Sequence, residues 1–79
     1  MKTIHSDNNR ILLEWLTAKR MLLGKTQQQL SEALGKPQSF VSKYENGERR
    51  LDLIEAIDIC KALSADPHEL INVLLKGKK

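Results

Sequence analysis

Five side chains between residues 38 and 46 have the types and the spacing to hydrogen-bond the edges of bases. At about 100° per residue on a helix, Gln38, Ser39, Ser42, Lys43 and Asn46 fall on one side, and Phe40, Val41 and Tyr44 on the other. The polar side carries one positive charge, no carboxylate, and mostly short or amide side chains. A merely solvated helix face usually mixes Glu with Lys. This one suits a major groove, where Gln can pair with adenine N6/N7 and Lys can reach guanine O6/N7. Arg49 and Arg50 follow directly and have the chemistry of phosphate ligands.

Such a face must be held by its neighbours, and the residues before it have the right local signals. Thr26 can cap a short helix, with Gln29 completing a capping box. Leu30 and Leu34 then face inward together, with the small Ser31 beside them. Gly35 stands where that helix should end in a left-handed residue. Pro37 presets φ for the next helix, which should run through Asn46 to a stop at Gly47. The pattern over 26–46 is helix, tight turn, helix.

The flanks read as three more helices. Ser6 or Asp7 can cap a first helix reaching about Leu23, with Leu12, Trp15, Leu16, Lys19 and Leu23 as its stripe and Trp15 as a core anchor. Asp52 and Glu55 form a capping box for a fourth helix. Its Leu53, Ile54, Ile57, Ile59, Cys60 and Leu63 are too apolar for one stripe, so it should be central or partly covered by another subunit. Ser64-Ala65 ends it. Asp66, Pro67 and Glu69 start a fifth helix whose surplus apolar residues should lie on an intermolecular face. His68 in its first turn should be exposed and idle. Strand signals are absent. The expected architecture is all-α, a compact bundle of about five short helices forming a single domain over 1–79, with a core of 6–75 and flexible ends at 1–5 and 76–79.

Composition narrows the function classes. A chain of 79 residues is near the lower limit for a self-sufficient core. The lone Cys60 rules out an intrachain disulfide and should be a small buried apolar residue. One Cys and two His make no zinc site or nucleophile–base pair, and no Gly-rich phosphate loop occurs. Neither an enzyme nor a metal or cofactor is expected. No apolar run approaches the ~20 residues of a membrane span, so no membrane partner is expected and the cytoplasm is the default location. Residues 1–50 are net basic, whereas 51–75 set one base against five acids. One face should therefore meet a polyanion and another face something else.

In order along the chain, Arg20, Gly24, Thr26, Gln27, Leu30, Ser31, Gly35, Gln38, Ser39, Val41, Ser42, Glu45 and Gly47 reproduce a known pattern. They resemble the Cro/lambda-repressor-like helix-turn-helix family, the XRE-type transcriptional regulators, over nearly all of Leu16 to Leu70. The resemblance implies that Gln38, Ser39, Ser42 and Lys43 read bases. It implies that Gln27 binds a phosphate through its side chain or backbone N–H, with Asn46 holding the DNA backbone farther along. It also implies an interior ion pair between Arg20 and Glu45. Lys25 departs from an apolar preference and could add a phosphate contact. Leu51 departs from a common Pro. A symmetric homodimer on a palindromic double-stranded DNA operator is expected, its interface built from Ile71, Leu74 and Leu75. The alternative is an antitoxin or accessory module of the same fold, which holds a protein partner such as a toxin and binds DNA as autoregulation.

Overall fold

The computed structural model describes residues 7–76. The expectations for Met1–Ser6 and Gly77–Lys79, including Ser6 as a cap, lie outside the described residues. Five helices follow in order: α1 (Asp7–Leu23), α2 (Gln27–Ala33), α3 (Ser39–Glu45), α4 (Leu53–Ala62) and α5 (Pro67–Lys76). The all-α reading therefore holds.

Local chemistry explains most boundaries. Thr26 Oγ1 accepts the Gln29 N–H at 3.0 Å while Gln29 Oε1 accepts the Thr26 N–H at 2.9 Å, a reciprocal box that starts α2. Asp52 and Glu55 repeat it at α4, with bonds of 2.7 and 3.0 Å. The turn out of α2 is closed by Gly35 N–H to Glu32 and Lys36 N–H to Ser31, and Gly35 takes φ 68°. One start differs from expectation. Pro37 does not sit in the first turn of α3; its carbonyl accepts the Phe40 N–H, and the helix begins two residues later with Gln38 as N-cap.

The end of α4 has the same closure, Ser64 N–H to Lys61 and Ala65 N–H to Cys60. Here, however, a serine occupies the left-handed position, at φ 56°. An L-residue with a Cβ is strained there by roughly 1–2 kcal/mol. Because glycine loses more entropy on folding, Ser64→Gly is expected to stabilise the domain by about 0.5–1 kcal/mol, read as a rise in urea midpoint at constant slope.

α2 packs chiefly on α3, α1 on α5 and α3, and α4 on α5. The shared core is Leu16, Leu30, Phe40, Val41, Tyr44, Ile59, Cys60, Leu63 and Leu70. Each fully buried aliphatic side chain contributes roughly 1.5–3 kcal/mol. The Phe40 and Tyr44 rings meet edge-on at 5.6 Å. Cys60 is buried, and burial pushes its thiol pKa up.

Some expected core positions lie at the margin. Trp15 packs against the core but is only half-buried, and the Lys19 ammonium stands 5.0 Å from its ring centroid. Leu23, placed in the α1 stripe, is 47% exposed. Leu53 and Ile54 also face solvent, so only the Ala56–Ile59–Cys60–Leu63 side of α4 is central.

Candidate nucleic-acid interface

α3 presents the expected face, and the fold leaves most of it unspent. Phe40, Val41 and Tyr44 are buried, which turns Gln38, Ser39 and Lys43 outward, where all three are exposed. Gln38 is the N-cap residue, yet its side chain makes no capping bond. Its amide stays available for a bidentate contact. Ser42 is half-buried, and its hydroxyl donates to the Ser39 carbonyl at 3.1 Å. Its remaining lone pairs make it an acceptor, matched to a base amino group.

Gln38, Ser39 and Ser42 share one polar hollow with Thr26, Gln27 and Gln28, so the starts of α2 and α3 converge. Asn46 lies elsewhere. It lines a groove between α1 and the end of α3, beside Arg10, Glu14 and Thr17.

The angle between α2 and α3 has a pin at a position that the sequence marks only as small. Ser31 is fully buried. Its Oγ donates to the Gln38 carbonyl at 3.2 Å and accepts the Val41 N–H at 3.3 Å. A hydroxyl at the crossing point was the available signal, since burying it without partners costs free energy.

A second fastener lies at the far end of α3. Arg20 Nε and Nη2 donate to the two Glu45 carboxylate oxygens at 2.8 and 3.1 Å, and Nη1 donates to the Lys25 carbonyl at 2.8 Å. Gln27 Nε2 donates to Glu45 Oε1 at 2.8 Å. One of the two amide N–H groups expected at a phosphate thus goes to Glu45, which leaves the other amide N–H and the Gln27 backbone N–H for an anion. The cluster ties α1, the loop after it, α2 and α3 together. Beside it, burial and then the Glu45 charge push the Tyr44 phenol far above its ordinary pKa, and its hydroxyl has no hydrogen-bond partner among the described residues.

Of the remaining expected phosphate ligands, Lys25 is half-buried and Arg50 is exposed, whereas Arg49 is bonded to Glu55. His68 is not idle. Its backbone N–H and Nδ1 both lie 2.9 Å from Asp66 Oδ1 and complete the start of α5.

These carboxylates set a pH response. The Asp52 backbone N–H and then Arg49 hold Glu55 below its ordinary pKa of 4.5. The His68 backbone N–H and then its ring hold Asp66 below 3.8. A depressed folded pKa contributes stability that is fully present above the unfolded value and lost as pH falls through the folded one. The melting temperature is therefore expected to stay level down to about pH 5 and to drop below it, with Glu55→Gln shallowing the drop.

Among the described residues, no group of three or more His, Cys, Asp or Glu could hold a metal ion, and no helix is long and apolar enough to cross a membrane.

A family profile described as helix-turn-helix matches residues 16–70, and the chain belongs to that family. Within it the chain is of the XRE type, a DNA-binding transcription-regulator fold. It is similar to the XRE-family like protein from Pseudomonas syringae pv. tomato str. DC3000, with 44% identity over 91% of this chain and 88% of that one and a TM-score of 0.84. It also shares the fold of the restriction-modification controller protein C.Esp1396I, at 19% identity, 98% and 96% coverage, and a TM-score of 0.72. No curated protein sequence matches it.

Proposed function

We propose that this protein binds double-stranded DNA sequence-specifically as a homodimeric transcriptional regulator in the cytoplasm. Gln38, Ser39, Ser42 and Lys43 enter the major groove on α3, and Lys25, the Gln27 backbone N–H, Asn46 and the loop between α3 and α4 serve the phosphates. The carrying observation is the carboxylate-free face of α3, whose Gln38 amide and Lys43 ammonium the fold does not use. One such face reads only a few base pairs, so specificity calls for two copies on half-sites about one helical turn apart. A dimer seated across a promoter excludes the polymerase, which makes repression the expected sign.

The dimer reading draws support from exposed apolar side chains at Ile71 and Leu75 on α5 and at Leu53 and Ile54 on α4. Leu74 contributes less than expected, because it packs on the chain's own core. The same exposed surface supports a second reading, a partner-binding module such as an antitoxin, in which DNA binding serves autoregulation.

Selection from a random duplex library at about 0.15 M salt, where non-specific attraction is held down, is expected to recover an inverted repeat. Recovery of nothing above background would move the second reading ahead. On the recovered site, Lys43→Ala is expected to lose ~1–3 kcal/mol against the preferred base and little against others. Uniform weakening across sequences would make Lys43 a phosphate contact instead.

A further inference from the structure

Arg49 and Arg50 stand side by side between α3 and α4, yet the fold uses them differently. The Arg49 guanidinium is spent internally. Its Nη1 donates to the Arg50 carbonyl at 2.9 Å and to Glu55 Oε1 at 3.1 Å, and its Nη2 donates to Glu55 Oε2 at 2.8 Å. Its central carbon lies 5.0 Å from the Phe40 ring centroid, stacked on the edge of the core. Glu55 is itself held by the Asp52 N–H, and its side chain is only 17% exposed against 41% for Arg49. The Arg50 side chain is exposed and makes no hydrogen bond or ion pair among the described residues.

A bidentate guanidinium–carboxylate pair has no net charge. Neutralising a DNA phosphate, and so releasing its counterion, requires a cation that is not already neutralised. We propose, resting on the DNA-binding reading above, that Arg49 is a positioning residue that clamps the α3–α4 loop to the first turn of α4, and that Arg50 alone of the two brings its charge to a phosphate. Arg49 holds the carbonyl of Arg50 itself, so it fixes the backbone from which the Arg50 side chain departs. Its contact with Phe40 ties the same loop to the buried side of α3. The clamp therefore sets where Arg50 stands relative to the base-reading face.

The test is the salt dependence of binding to a random-sequence duplex by the full chain, where each neutralised phosphate adds about 0.9 to the slope of log affinity against log salt. Arg50→Ala is expected to reduce the slope by about 0.9 per protomer. Arg49→Ala and Arg49→Lys are expected to weaken binding with a smaller loss of slope than Arg50→Ala, because Arg50 keeps its charge and loses only its fixed backbone. Glu55→Gln, which releases the Arg49 charge, is expected to steepen it. Equal loss of slope from Arg49→Ala and Arg50→Ala, or no loss from Arg50→Ala, would overturn the division of roles.

A DNA-free measurement guards against a variant that merely misfolds. Besides Arg49, Glu55 faces the Asp52 N–H and the Lys36 ammonium, both of which also lower its pKa. Titration of the Glu55 carboxyl by NMR is expected to show its midpoint rising in Arg49→Ala. An unmoved midpoint would remove the clamp. If the wild-type chain bound no duplex at any salt, the DNA reading would fall and the role of Arg50 with it, while the Glu55 midpoint would still decide whether Arg49 clamps the loop.

Discussion

Glu45→Ala is expected to cost the domain about 3–5 kcal/mol. The Arg20 and Glu45 side chains are 12% and 7% exposed, so both charges are largely out of water. Removing the carboxylate strands a buried guanidinium with one remaining acceptor, the Lys25 carbonyl, and takes the partner from the Gln27 amide. Leaving one charge unpaired in a low-dielectric interior costs far more than the pair contributes net. Total stability for 79 residues is roughly 4–12 kcal/mol, so the loss is a large share of it. Urea unfolding measures it, and a loss under about 1 kcal/mol would mean that the pair behaves as a solvated one. A double replacement of Arg20 and Glu45 by apolar residues of similar volume is expected to recover part of the loss, because no charge is then stranded. Recovery of stability need not recover DNA binding. The cluster also sets the angle of α3 against α1 and α2, and apolar residues have no directional bond with which to hold it.

Leu75→Asp is expected to yield a monomer that folds normally and binds a palindromic site about 10²–10⁴-fold more weakly, the range that linking two binding modules adds. Leu75 is 79% exposed and Ile71 45%, so a carboxylate at Leu75 would meet water in a monomer and an apolar face in the proposed dimer. Leu74 is the poorer choice. It packs on the core while partly buried, so Leu74→Asp would also destabilise the fold for reasons unrelated to assembly. Sedimentation together with a melting curve separates the two effects. An unchanged dimer would sink this interface and turn attention to the exposed Leu53 and Ile54.

The number, order and approximate ends of the helices were legible in the amino-acid sequence. Capping boxes at Thr26 and Asp52, and a left-handed residue at Gly35, involve groups close together in the chain, so they depend little on its distant parts. The division of α3 into a buried and a polar face was legible for the same reason. Which polar groups are spent depends on how the helices pack. Gln27 reaches Glu45 across 18 residues, Ser31 bridges to Gln38 and Val41 across the turn, and Arg49 folds back on Glu55. In the sequence Arg49 and Arg50 are alike, and only the approach of α4 to the loop distinguishes them. Side-chain hydrogen bonds act over about 3 Å, so their partners are settled by where helices cross, and that is settled by packing the core.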